Sequence, residues 1–212
     1  MKLIKIVIVE DQILLRSFWS CAFKRDKRLK LIGAFSTEGE AFSSCPKLRP
    51  DIIIADIVLS EGSGINLIRR LKPLLPRTKF LAISGYENPD FVKDAVEVGA
   101  HGFVFKNTHW KTAVDVIFKI AGGKEHFDEK SLNLLKESLQ HGKDLKKKLT
   151  VREKEILKKV AEGEAPKAIA HELKLSVKTV HNHVTNLKKK LKIHEVAGLV
   201  RYAIHCGLAL KP

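Results

Sequence analysis

Hydrophobic residues in the first 120 positions gather into five short, nearly unbroken runs: LIKIVIV (3–9), LKLIGAF (29–35), DIIIAD (51–56), KFLAIS (79–84) and GFVFK (102–106). Ile, Val and Leu dominate, without polar alternation, the pattern of strands buried on both faces of a parallel sheet. Amphipathic stretches near 12–25, 37–48, 64–72, 89–98 and 109–121 separate the runs and carry the helical period. Five strands alternating with five helices predict one α/β domain over 1–121, a five-stranded parallel sheet of flavodoxin-like order 2-1-3-4-5.

Gly122-Gly123 ends the last of these helices, as glycine commonly does. The lysine-rich, mixed-charge segment 122–148 reads as a linker with a short helix around 131–140. From 149 to 212 the pattern is helical throughout, with helices expected over 151–162, 166–173, 176–191 and 195–205. Pro166 suits a first helical turn and Ser176 an N-cap. The fold class is therefore α/β plus all-α: a five-stranded parallel-sheet domain followed by a four-helix module.

Charge sharpens this division. The chain has a net charge of +15, yet residues 145–212 hold 16 Lys and Arg against 6 Asp and Glu, so +10 falls on the last 68 residues. Such asymmetry points to a polyanionic partner for the C-terminal module, either nucleic acid or an anionic membrane surface. No apolar run approaches the roughly 20 residues that span a bilayer. Three cysteines, Cys21, Cys45 and Cys206, show no CxxC spacing and suit a reduced, cytosolic protein.

Four of the five strands end on a chemically active residue. The first ends at Glu10-Asp11, the third at Asp56, the fourth at Ser84 and the fifth at Lys106. Open α/β sheets collect functional groups beyond the carboxyl ends of their strands, and in the expected order the first and third strands are neighbours. Three converging carboxylates suit a hard divalent cation such as Mg2+, which takes oxygen ligands and keeps several waters. A lysine and a hydroxyl nearby complete a pocket for a phosphoryl group. Any one of these residues is equally well read as a polar strand terminus; the ordered set is not.

Residues 1–121 resemble the receiver domain of bacterial two-component response regulators, on IVED (8–11), PDIIIADIVLSEGSG (50–64), AISG (82–85) and GFVFK (102–106). The resemblance implies that Asp56 accepts phosphate from a sensor histidine kinase. It implies that Glu10, Asp11 and Asp56, with the backbone carbonyl of Val58, hold Mg2+. Ser84 and Lys106 would contact the phosphoryl oxygens, and Phe103 would be the switch aromatic. The chain departs from the commonest pattern at three places. Ser60 stands where proline is usual, which predicts a looser loop after Asp56. Ser84-Gly85 replaces a frequent Thr-Ala pair, and Phe103 lacks the hydroxyl of the common tyrosine.

The stretch SVKTVHNHV (176–184) opens the third C-terminal helix. In an ideal helix Val184, Leu187 and Leu191 lie within about 40° of Val180, a narrow apolar stripe. Lys178, Asn182, Thr185 and Lys189 lie about 140–200° away, and His181 and Asn186 flank them. A solvated surface helix is the ordinary reading of such a pattern. Here the helix has no acid between Ser176 and Lys192, and a short helix and a tight turn precede it. A helix of that width fits the major groove, so 176–191 is a candidate recognition helix. Zinc on His181 and His183 is disfavoured because positions i and i+2 do not face one point.

LTVREKEILKKVAEG (149–163) and KAIAHELKLSVKTVHNHVTNLKKKL (167–191) resemble the LuxR-type DNA-binding module. With the receiver, this is similar to the NarL/FixJ class of response regulators. The resemblance implies base-facing roles for His181, Asn182 and Thr185, with phosphate or groove-edge roles for Lys178, Thr179 and Lys188; Lys189 shares the polar face. His183 is assigned to backbone or phosphate. The last helix, with Val196, Leu199, Val200, Ala203 and Ile204, would pair two copies of the module.

The expected function is a phosphorylation-regulated, sequence-specific DNA-binding transcription regulator, not an enzyme. The expected partners are double-stranded DNA, a sensor histidine kinase, RNA polymerase and a second copy of the chain, with no membrane. The runner-up keeps the DNA binding and drops phosphate control. A Mg2+-dependent phosphatase would need a DxDx-type pair after the first strand, which is missing, and a membrane-surface helix would need bulky aromatics that 176–191 lacks.

Overall fold

The computed structural model describes residues 3–140, 149–191, 193, 195–206 and 208. They divide into two compact units, Met1–Glu137 and Ser138–Pro212.

The first unit alternates strand and helix: β1 (Ile4–Val9), α1 (Ile13–Phe23), β2 (Leu29–Phe35), α2 (Glu38–Leu48), β3 (Ile52–Asp56), α3 (Gly64–Leu71), β4 (Lys79–Ser84), α4 (Pro89–Glu97), β5 (Gly102–Phe105) and α5 (Trp110–Ala121). All strands are parallel, and the first five stand in the order β2-β1-β3-β4-β5. The unbroken apolar runs have the physical cause expected of them. Ile6, Ile8, Ile52, Ile54, Leu81, Ile83 and Val104 pack on one face against Trp19 and Phe23 of α1 and Ile117 and Ile120 of α5. The intervening residues Val7, Val9, Ile53, Ala55, Phe80, Ala82 and Phe103 are buried too, so neither face has room for a polar alternation.

The sheet has a sixth strand that the sequence reading did not anticipate. β6 (His126–Phe127) pairs parallel with β5, and α6 (Glu129–Gln140) follows it. Part of the segment expected as a linker thus joins the first unit, which runs to Glu137, while 141–148 lie outside the described residues. A two-residue strand is too short to show a period; only the exposed edge of β5 makes it a strand. α6 is tied back by Asp128, whose carboxylate accepts from the Ser131 amide at 2.7 Å. Lys130 also pairs with Glu87 and sits 4.8 Å over the Phe105 ring.

The second unit consists of α7 (Val151–Ala161), α8 (Pro166–Glu172), α9 (Val177–Leu191) and α10 (Val196–His205). Thr150 and Glu153 form a reciprocal capping box on α7, each accepting from the other's amide, at 3.1 and 2.8 Å. The turn from α8 to α9 places Lys174 in the left-handed region at φ 52, closed by the Leu175 amide on the Ala170 carbonyl at 2.8 Å. Ser176 caps α9 through the Thr179 amide at 3.0 Å. Among the described residues, no helix is long and apolar enough to cross a membrane.

Gly64 opens α3 where a Cβ would stand 2.1 Å from the Asp56 carbonyl oxygen. Gly64→Ala is therefore expected to destabilise the first unit by about 1–3 kcal/mol through overpacking, read by denaturant unfolding followed by Trp19 and Trp110 fluorescence; an unchanged midpoint would contradict this close approach.

Candidate functional site

Parallel pairing brings the strand ends together. Val9 is in register with Ala55 and Asp56 with Ile83, so Glu10-Asp11, Asp56 and Ser84 emerge side by side. Lys106 follows the end of β5, next to β4. Its ammonium donates to Asp56 Oδ2 at 2.7 Å and to Glu10 Oε1 at 2.9 Å. Glu10 and Asp56 are fully buried, at 0 % and 2 % exposure, while Asp11 is half-buried.

Backbone amides hold the same carboxylates. Val58 N donates to Asp56 Oδ1 at 3.2 Å, Gln12 N to Glu10 Oε1 at 3.1 Å, and Ser60 N to Asp11 Oδ2 at 2.7 Å. Glu10 Oε2 and Asp11 Oδ1 are buried and have no hydrogen-bond partner among the described residues. One oxygen from each of Glu10, Asp11 and Asp56 lies within 4.8 Å of the others. Two buried, uncompensated anionic oxygens beside a third are costly unless a cation joins them, and an all-oxygen set suits a hard divalent ion. These three residues could therefore hold a metal ion.

Electrostatics agree with this geometry. Burial pushes the Asp56 carboxyl up to about 7, with Lys106 opposing and Glu10 reinforcing the rise. Burial likewise raises Glu10, against the pull of Lys106. For Lys106 burial is the largest effect and disfavours its charge, but Asp56 and Glu10 together outweigh it and raise its pKa. The lysine stays cationic while the carboxylates compete for charge.

The residues expected to respond to phosphate are nearby. Ser84 is fully buried, and its hydroxyl donates to Tyr86 O at 3.2 Å and accepts from Tyr86 N at 3.0 Å. Phe103 is fully buried, edge-on to Phe105 at 5.2 Å, and so already turned inward. The loop after Asp56 is held on two sides. Besides the Ser60 bond to Asp11, Glu38 accepts from Ser63 N and from Arg70 Nη1, both at 2.9 Å. Sequence reasoning missed Glu38, and it missed Arg16, whose guanidinium donates to the carbonyls of Glu10 and Asp11 at 2.6 and 3.3 Å. Arg16 did leave a signal, as the one charged residue in the apolar helix ILLRSFWSCAF.

In the second unit, α9 buries Val180, Leu187 and Leu191 of its expected stripe, while Val184 is half-buried. Lys178, His181, Asn182, Thr185 and Lys189 are exposed on the outer side. Thr179 and Lys188 are half-buried, and the Thr179 hydroxyl is engaged with Ser176 Oγ at 2.8 Å. Lys190 turns to α7, where it donates to both oxygens of buried Glu153 at 2.6 and 2.8 Å. Burial alone would raise the Glu153 carboxyl, but Lys190 and the Thr150 cap together lower it. In α10, Leu199 and Ala203 are buried within the unit and serve its own core. Val196 is exposed at 46 % and Val200 is half-buried; the Ile204 side chain lies outside the described residues.

A parallel sheet with an acidic, lysine-bridged pocket at its carboxyl edge, on a chain that also carries a helix-turn-helix unit, defines a receiver-type switch module coupled to a nucleic-acid reader. The chain matches the family described as "Response regulator receiver domain" over residues 6–118 and that described as "Bacterial regulatory proteins, luxR family" over residues 147–203. It belongs to the response regulator family, with the receiver and luxR-type composition of the NarL/FixJ class. It is similar to the response regulator protein VraR of Staphylococcus aureus, 27 % identical over 205 residues that cover 97 % of this chain and 98 % of that one. Among solved structures it resembles RcsB from Salmonella enterica serovar Typhimurium bound to promoter P1flhDC with phosphomimetic BeF3- (22 % identity, 96 % and 98 % of the two chains, TM-score 0.64). It also resembles two RcsB dimers bound to two parallel DNAs (22 % identity, 96 % and 99 %, TM-score 0.62). Those structures share the fold.

The raised pKa of Asp56 has a testable sign. A folded-state value above the ordinary 3.8 means that stability is lost as the pH rises from there toward about 7. In metal-free buffer the Tm of Asp56→Asn should exceed that of the wild type by a margin that widens between about pH 5 and about pH 7.5. A margin that stays constant would contradict the desolvated, charge-crowded site.

Proposed function

We propose that this protein is a transcription regulator whose binding to specific duplex DNA is set by phosphorylation of Asp56. The observation that carries the reading is the Asp56 carboxylate, buried, pinned by Lys106 and flanked by two carboxylate oxygens that have no hydrogen-bond partner among the described residues. Such a group is poised to become an acyl phosphate and has no packing role that an apolar residue would not fill better. The phosphate donor is a phosphohistidine of a sensor kinase. Asp56 attacks phosphorus through one carboxylate oxygen, the new O–P bond forms as the P–N bond breaks, and the imidazole departs.

Glu10, Asp11, Asp56 and the Val58 carbonyl would hold Mg2+, which when bound supplies charge neutralisation to the phosphoryl oxygens. Lys106 keeps its ammonium on the oxygens of the modified aspartate. Ser84 would release the Tyr86 backbone and donate to a phosphoryl oxygen, which frees the β4–α4 loop. A pre-existing equilibrium then shifts toward a dimeric, DNA-competent form. The exposed basic face of α9 supports the output: Asn182, His181 and Thr185 read base edges, while Lys178 and Lys189 grip phosphates. RcsB, which shares the fold, has been solved bound to a promoter in the presence of phosphomimetic BeF3-, which supports this reading.

Selection of bound oligonucleotides from a random pool, with and without an acyl phosphate donor, tests this directly. The wild type should enrich a two-fold site more strongly with the donor, and Asp56→Asn should lose that gain. Equal enrichment under both conditions would instead support a regulator that works without phosphate. On the selected site Asn182→Ala should cost about 1–3 kcal/mol and little on random DNA. Lys189→Ala should weaken both alike and reduce the salt slope by about one. Equal losses for Asn182→Ala on both DNAs would remove it from base reading.

A further inference from the structure

The three carboxylates of the acidic pocket are not anchored in the same way. Lys106 reaches Glu10 and Asp56, and the Gln12 and Val58 amides assist it. The donor on Asp11 is instead the backbone amide of Ser60, 49 positions along the chain, at 2.7 Å. This bond takes Oδ2 and leaves Oδ1 buried, without a hydrogen-bond partner among the described residues, on a residue that contributes an oxygen to the carboxylate cluster.

A carboxylate free to rotate about its terminal torsion offers either oxygen in many directions. One anchored by a short amide bond presents the other oxygen in one direction, and groups that orient metal ligands in this way typically carry 10–100-fold in metal affinity. The amide is itself held in place. Glu38 holds the same loop through Ser63 N, and the Glu61 carbonyl accepts from Glu38 N at 3.2 Å; Arg70 of α3 in turn donates to Glu38. Gly62 makes this possible: at φ +90 it lies so close to Glu38 that a Cβ would stand 2.2 Å from that residue's own Cβ.

We infer that the Ser60 backbone N–H is a positioning group for the metal site, fixing Asp11 so that Oδ1 is aimed at the cation. The inference rests on the reading that Glu10, Asp11 and Asp56 bind a divalent cation, and it assigns no role to the serine hydroxyl. Only a residue with an N–H can do this, so proline at 60 would abolish it while any other small residue would keep it. Ser60 does not have a positive φ, so the backbone hand does not forbid the proline ring.

The test is calorimetric titration of Mg2+ into the full chain as wild type, Ser60→Ala and Ser60→Pro. Ser60→Ala should bind like the wild type, and Ser60→Pro about 10-fold more weakly or worse, with the metal-free melting curves of all three alike. Equal affinity for Ser60→Pro and Ser60→Ala would overturn the inference and leave the metal site standing. No Mg2+ binding by the wild type would overturn the metal reading and this inference with it. Should Ser60→Pro fail to fold, exchange of the Ser60 amide in the wild type decides: slow exchange with and without Mg2+ is expected, and unprotected exchange in the Mg2+-bound protein would overturn the inference.

Discussion

A single ammonium, that of Lys106, is shared between two carboxylates that have almost no contact with water. Most of the first unit can be understood as the scaffold this arrangement demands. Buried carboxylates are tolerable only if opposite charge and hydrogen-bond donors reach them with good geometry. The donors come from three places in the chain: Lys106 from the end of β5, Gln12 from the start of α1, and Val58 and Ser60 from the loop after β3. A parallel sheet buried on both faces is stiff enough to bring these ends to one edge and hold them there.

The same constraint explains why the site is suited to switching. Three acids and one lysine leave an excess of negative charge, and two carboxylate oxygens have no hydrogen-bond partner among the described residues. Such a cluster of oxygens could hold a hard cation. The Ser84 hydroxyl is engaged by the Tyr86 backbone, so it has a partner to exchange. From Tyr86 the loop continues to Glu87, which pairs with Lys130 on α6. A contact chain therefore runs from the strand edge to the helix that follows β6, all within the first unit.

The second unit solves a different problem with fewer means. Its small core is drawn from Ile156, Leu157, Ile169, Val180, Leu187, Leu199 and Ala203. The capping box of α7 and the ion pair of its Glu153 with Lys190 lock α7 to α9. That ion pair turns Lys190 toward α7, while Lys189 stays exposed on the outer face.

Much of this was legible in the residues themselves. The five apolar runs, the helical periods between them, Ser176 as a cap and the stripe Val180–Leu187–Leu191 follow from local periodicity, which reports burial whenever an element is long enough to repeat. Asp56, Glu10, Asp11, Lys106 and Ser84 were legible because a parallel sheet puts every strand end on one edge. What only the tertiary structure decided is where a partner lies when it comes from a distant position. β6 is a strand because β5 has a free edge beside it, Leu199 and Ala203 are core because α7 covers them, and the loop at Ser60 is held firm because Asp11 and Glu38 reach it. Periodicity along a chain records how each residue meets water; it carries no record of which distant backbone amide will find a carboxylate.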